Sequence, residues 1–166
     1  RATARWATEL VHDAEAIGER WAREFGRAGE YIAYGATPPV APPLETGLEP
    51  GSYALFVARF VPENTVAEFL DATERLAERH PVVLVGSSGY GGEFDARAEA
   101  LAKRFERVRW LGHIHDDARL DGLWAHAGAY FHGHSVGGTN PALVQAMACG
   151  APIVARDTVY NREVLG

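Results

Sequence analysis

Tyr53-Ala54-Leu55-Phe56-Val57 is an apolar run of strand length, and the pattern downstream of it decides the fold. Glu63 to Arg79 carries Val66, Phe69, Leu70, Leu76 and Ala77 at helical spacing, on one face. Pro81 to Val85 is a second apolar run, closed by Gly86. A helix over Glu93 to Phe105, with Phe94, Leu101 and Phe105 inward, leads to a third strand at Val108 to Leu111. Another over Asp117 to His126 turns Leu120, Leu123 and Trp124 inward and leads to a fourth strand, Ala129-Tyr130-Phe131. Pro141 to Cys149 reads as a helix and Pro152-Ile153-Val154 as a fifth strand. The strands are apolar throughout, the pattern of a parallel sheet covered by helices on both faces. Right-handed crossovers make this an open, doubly wound α/β sheet. Ligands of such sheets lie beyond the carboxyl ends of the strands, so the loops after Val57, Val85, Leu111 and Phe131 are where a site is expected.

Upstream the pattern changes. Trp6, Leu10, Ile17, Trp21 and Phe25 share one helical face from Thr3 to Phe25, with Gly26 as a stop. Tyr31-Ile32-Ala33-Tyr34 reads as a short strand. Pro38, Pro39, Pro42, Pro43 and Pro50 then exclude helix and central strand alike. These readings divide the chain into residues 1–36, the tail of a preceding domain; residues 37–51, a Pro-rich linker; and residues 52–166, the sheet domain. The chain ends at Val164-Leu165-Gly166 with no closing element, so a fragment of a longer protein is expected.

The 166 residues are 47% hydrophobic and 23% charged, the composition of a soluble globular protein. A formal net charge of -6 argues against nucleic acid as a partner. A single cysteine, Cys149, rules out an intramolecular disulfide and fits a reducing cytosol. No apolar run approaches the ~20 residues of a membrane span, and no signal peptide opens the chain. A cytoplasmic location is expected, with peripheral attachment of the full-length protein to the inner face of a membrane left open.

The strongest local signal is His132-Gly133-His134-Ser135-Val136-Gly137-Gly138-Thr139-Asn140-Pro141. Thr139 or Asn140 can cap a helix, and Pro141 suits its first turn. The two glycines before it let the backbone approach a ligand. Free amides and the helix dipole then favour an anion such as a diphosphate. Arg59, two residues past the first strand, can pair with a phosphate. His113 with His115 and His132 with His134 invite a zinc reading, but no cysteine ligand supports it and no metal is expected. Contacts to a nucleotide, or capping and solvated roles, remain for these rings. Gly86-Ser87-Ser88-Gly89-Tyr90-Gly91-Gly92 lacks both the P-loop lysine and the G-x-G-x-x-G spacing.

Several of these segments together resemble a known family. Leu55-Phe56-Val57-Ala58-Arg59-Phe60-Val61-Pro62-Glu63-Asn64 resembles the first strand and turn of the donor domain in retaining GT-B glycosyltransferases. Val108-Arg109-Trp110-Leu111-Gly112-His113-Ile114 is similar to their base-binding segment, and Gly137 to Val154 to their diphosphate loop, helix and next strand. The Gly137-Gly138-Thr139-Asn140-Pro141 version, with Tyr130 to His134 before it and Tyr160 to Val164 after, looks like the rhamnosyltransferase branch. The resemblance implies a donor half that binds a nucleoside-diphosphate sugar, dTDP-rhamnose or a similar dTDP- or UDP-linked sugar. The acceptor would be a saccharide or a lipid-linked species in surface polysaccharide synthesis, and no cofactor would be needed. It implies Arg59 and Asn140 as catalytic groups. Arg59, Asn64, Ile114, His115, Gly138, Thr139, Asn140 and Gln145 would bind the donor. The sequence departs from the wider superfamily where Asn64 stands for a lysine, and where Gly137 and Gln145 stand for two glutamates. The isolated chain is expected to be inactive in transfer. A sugar-nucleotide epimerase of the same architecture and a non-catalytic nucleotide-binding module are the competing readings.

Overall fold

The computed structural model describes residues 6–166. Five parallel strands form the main sheet: β3 (Ala54–Val57), β4 (Val82–Val85), β5 (Val108–Trp110), β6 (Ala129–His132) and β7 (Ile153–Ala155), in the spatial order β5-β4-β3-β6-β7. β1 (Val11–His12) and β2 (Glu30–Tyr31) pair in parallel as a separate two-stranded sheet, with Val11 opposite Glu30.

Strand residues point alternately to the two faces, and in this sheet both faces are apolar. Ala54, Phe56, Val82 and Leu84 join a cluster on one face, completed by α2 (Val66–Leu76) and α3 (Glu93–Arg104) through Phe69, Leu70, Ala98 and Leu101. Phe56 stacks on Phe69 with ring centroids 4.4 Å apart. Tyr53, Leu55, Val83 and Val85 face the other way, against α4 (Asp117–Ala125) and α5 (Pro141–Ala148) through Leu123, Trp124 and Ala146. The doubly wound expectation therefore holds, with each face covered by its own pair of helices.

The proline-rich stretch has no helix or strand, yet it is fixed along the back of α4. The Pro43 carbonyl lies where a Cβ on Gly122 would be, His126 Nε2 is 3.1 Å from the Pro42 carbonyl, and Arg119 grips Glu45 with two bonds of 2.8 and 2.7 Å.

The largest departures from the sequence reading are at the ends. The expected helix over residues 3–25 is interrupted: Leu10 is buried, Val11–His12 is a strand, and the helix proper is α1 (Glu15–Phe25). Its start at Thr3 lies outside the described residues. Trp6, assigned to the inner face, is 86% exposed. Helical spacing of apolar residues did not reveal that the backbone of Leu10 and His12 is used in pairing: it accepts from Glu30 and Ile32. At the other end α6 (Val159–Leu165) was missed; Thr158, whose hydroxyl accepts from Asn161 N at 3.1 Å, was the available capping signal. Among the described residues no helix is long and apolar enough to cross a membrane.

Leu123 is fully buried at the centre of the second cluster. Leu123→Ala should cost about 2–5 kcal/mol in urea unfolding, whereas Glu99→Ala, on the exposed side of α3, should stay within about 0.5 kcal/mol. A loss below about 1 kcal/mol for the first would contradict a packed second face.

Candidate functional site

The crossovers run to opposite faces from β3 and β6, so these two neighbours open a crevice at their carboxyl ends. Two loops meet there. After β3, Arg59 is followed by a 3-10 turn, Pro62–Asn64, and by Thr65 in a left-handed conformation (φ 61°, ψ 30°). A β-branched residue there is strained by about 1–2 kcal/mol. Thr65 is held by its hydroxyl, which donates to the Gly133 carbonyl and accepts from Arg156 Nη1 at 2.7 Å. The β6 loop is tied to the same turn: Ser135 donates to the Glu63 carbonyl from both N (2.9 Å) and Oγ (2.7 Å). Buried Asn161, on α6, donates through Nδ2 to the carbonyls of Arg156 and His134.

Arg59, Asn64, His134, Gly138, Thr139 and Asn140 line one cavity of about 600 Å³. The Arg59 guanidinium is exposed and has no hydrogen-bond or ion-pair partner among the described residues. Asn64 is buried, and its Nδ2 donates to the Arg59 carbonyl at 2.8 Å, so it fixes the backbone that carries the arginine. Asn140 is the helix cap: its Oδ1 accepts from Ala142 N at 3.0 Å, and its carbonyl accepts from Leu143 N. With Pro141 lacking an N–H, the first turn of α5 offers no spare donor. The free donors are in the loop before it. The backbone N–H groups of Gly137, Gly138, Thr139 and Asn140 have no acceptor among the described residues. Gly137 has φ 117°, a conformation that favours glycine.

Gly138 and Thr139 have a second use that the sequence did not announce. A Cβ on Gly138 would lie 2.1 Å from Asp13 Oδ1 and 2.8 Å from Ile17 Cδ1, and the Thr139 hydroxyl donates to the Asp13 carbonyl. On its Cβ side Gly138 is thus closed by the chain's own N-terminal segment. That segment is held from the opposite side by Glu163 on α6, whose carboxylate accepts from the N–H groups of Glu15 (2.6 Å) and Ala16 (3.3 Å) at the start of α1. Asp13 and Glu163 carry no local motif; only the folded chain brings them to this loop.

Gln145 faces a second cavity of about 800 Å³, lined also by Gly35, Asp117, Asp121, Trp124 and Pro141. Pro141 borders both cavities, so they adjoin at the start of α5. Ile114 packs against the cluster containing Leu123 and Trp124, while His115 is exposed with its ring edge-on to His113 at 4.3 Å. The other histidine pair is internal: His132 and His134 stack with centroids 4.4 Å apart, and His132 Nδ1 is 3.0 Å from the Tyr130 hydroxyl. Burial, then the neighbouring His134, pushes His132 down to about 3; burial, then Arg59, pushes His134 down to about 4. Both rings are neutral near pH 7, so Arg59 and not the histidines supplies positive charge to the first cavity. Among the described residues no group of three or more His, Cys, Asp or Glu side chains is placed to hold a metal ion.

Known proteins share both the sequence of the sheet domain and its architecture. Residues 51–166 match the family model described as glycosyl transferases group 1. O-antigen chain mannosyltransferase B of Escherichia coli is 30% identical over 121 residues, which are 69% of this chain and 31% of that protein. A phosphatidyl-myo-inositol mannosyltransferase of Mycolicibacterium smegmatis is 34% identical over 128 residues, 75% of this chain and 32% of that protein. The chain thus spans about a third of the length of these curated relatives. Anabaena HepE in complex with UDP and glucose superposes with a TM-score of 0.76 at 19% identity, covering 99% of this chain and 48% of that one. A TarM mutant of S. aureus, crystallised with UDP among its ligands, gives 0.74 at 15% identity, covering 95% and 31%. At such identities the two structures speak to the fold, which is the Rossmann-like architecture of GT-B enzymes. The fold and the match over the whole sheet domain lead to one assignment: the chain belongs to the glycosyl transferases group 1 family.

Proposed function

We propose that this chain is the donor-binding half of a glycosyltransferase that takes a nucleoside-diphosphate sugar, dTDP-rhamnose being the favoured donor. The sugar passes to a saccharide or lipid-linked acceptor in surface polysaccharide synthesis. One observation carries the reading: an unpaired guanidinium, Arg59, shares a cavity with the loop whose four successive backbone N–H groups, Gly137 to Asn140, have no acceptor among the described residues. A cation and a run of unpaired amides are complementary to a diphosphate. As the bond from the sugar to the diphosphate breaks, negative charge grows on the leaving phosphate, and fixed donors stabilise it without reorganising. Arg59 and the Asn140 amide act there; Asn64 holds Arg59 by its carbonyl. The nucleoside lies in the second cavity, with Ile114 and His115 on the base side and Gln145 on the sugar side. Residues 1–36 belong to the acceptor half, and residues 37–51 join it to the donor half. The resemblance of the Gly137-Gly138-Thr139-Asn140-Pro141 loop to the rhamnosyltransferase branch supports rhamnose; the relatives named as mannosyltransferases make a mannosyl donor the main competitor.

A charge-assisted contact of this kind contributes roughly 1.5–3 kcal/mol. Arg59→Ala should therefore weaken dTDP binding about ten- to a hundredfold in calorimetric titration. Unchanged affinity would place the diphosphate elsewhere, and tighter binding of UDP or GDP than of dTDP would overturn the rhamnosyl assignment. The neutral histidine pair makes a separate prediction. Because both folded values, about 3 and about 4, lie below the ordinary 6.5, the unfolded chain binds more protons in the acidic range. The stability contributed by the pair is complete above about pH 6.5 and is lost as the pH falls toward those values. The urea midpoint should drop between pH 7 and pH 5, and drop less in a His132→Gln, His134→Gln double variant. An equal drop in both proteins would assign it to other groups.

A further inference from the structure

The second cavity contains a carboxylate that no motif marked. Asp121 lies on α4, facing Gln145 on α5, and both line the cavity. Asp121 Oδ1 accepts from Gln145 Nε2 at 2.9 Å and from the Cys149 thiol at 3.6 Å. Both donors therefore converge on one oxygen. The other, Oδ2, has no partner among the described residues. Burial, then the nearby Asp121 charge, pushes the Cys149 thiol up to about 11, so it stays protonated and remains a donor. A carboxylate fixed on one side by two donors and unpartnered on the other is an acceptor site for hydroxyl groups. The glutamine keeps an acceptor of its own in Oε1, but its Nε2 donates to the aspartate, so that part of the side chain serves to aim the carboxylate.

The position of the cavity indicates which hydroxyl. It adjoins the cavity of Arg59 and the loop amides at Pro141. A diphosphate in the first places the attached pentose beside the first turns of α5, where Gln145 and Asp121 lie. We propose that Asp121 accepts a hydrogen bond from the 3′-hydroxyl of the donor's pentose, with Gln145 and Cys149 as positioning residues that aim its carboxylate. The proposal rests on Arg59 and the loop amides holding a nucleoside diphosphate. It assigns the carboxylate to α4, a different element from the helix carrying the anion loop. It also makes the pentose hydroxyl a determinant of donor affinity through a residue outside the diphosphate site.

The test crosses residue and ligand. The protein and its Asp121→Ala, Asp121→Asn and Gln145→Ala variants are titrated with dTDP and UDP, each beside its 2′,3′-dideoxy counterpart. In the unaltered protein, removing the hydroxyls should weaken binding about tenfold. Asp121→Ala should weaken the hydroxyl-bearing ligands by a similar factor and leave the dideoxy ligands unchanged. Asp121→Asn, nearly isosteric, should act in the same direction to a smaller degree. Gln145→Ala should show a partial loss that also vanishes with the dideoxy ligands, which a merely structural defect would not. Thermal midpoints of each variant identify any that fails to fold, and the asparagine variant keeps the test open if the alanine one does. Equal losses for both ligand types, or none, in a protein that binds dTDP or UDP would overturn the role of Asp121 alone. An unaltered protein that binds neither nucleotide would overturn the nucleotide reading and this inference with it.

Discussion

The structure depends on one topological constraint: β3 and β6 are hydrogen-bonded neighbours whose chains leave in opposite directions. From β3 the chain crosses to the face covered by α2 and α3; from β6 it crosses to the face covered by α4 and α5. Loops that diverge from adjacent strands cannot fill the space between them, so a crevice remains at the carboxyl ends. The groups proposed to hold the diphosphate, Arg59 and the amides of Gly137 to Asn140, are attached to these two loops. Thr65 and Ser135 keep them in register by bonds to backbone carbonyls of the opposite loop, and the left-handed Thr65 shows that the register is maintained against local preference.

Charge alone would have pointed elsewhere. A cavity of about 650 Å³ bordered by Arg104, Arg107 and Arg109 lies at the amino ends of the strands, beside Gly47, Ser52 and Pro81. Its arginines are committed: Arg104 to Glu74, Arg107 to the Glu78 carbonyl, and Arg109 to the carbonyls of Thr46 and Gly47. Arg59 is single, but it is free among the described residues and it faces unused amides. Availability of donors, more than their number, separates the two cavities.

The sheet was legible in the sequence because both of its faces are apolar. Tyr53 to Val57 and Val82 to Val85 could not be half-exposed strands, and each intervening helix carries one apolar stripe. Arg59 and the loop before Pro141 were legible because they come after strand ends at positions fixed by that pattern. At Gly138 the sequence marked a place of close backbone approach, but Asp13 and Ile17, which crowd its Cβ side, are distant in sequence and could not be read there. Asp121 was missed for a related reason. On α4 it looks like any solvated aspartate between Leu120 and Leu123, and only the packing of α4 against α5 brings Gln145 and Cys149 to it. Strand β1 was read as helix because apolar spacing reports burial and says nothing of backbone pairing.

The crevice between β3 and β6 is proposed to receive the diphosphate of a sugar nucleotide. A crystal structure of the protein with a bound nucleoside diphosphate tests it most directly. Phosphate oxygens are expected within hydrogen-bond distance of the Arg59 guanidinium and of at least two of the N–H groups from Gly137 to Asn140, with the nucleoside extending past Pro141 toward Gln145. Phosphate density at the arginines on the amino ends of the strands, or a nucleotide that leaves Arg59 uncontacted, would contradict it.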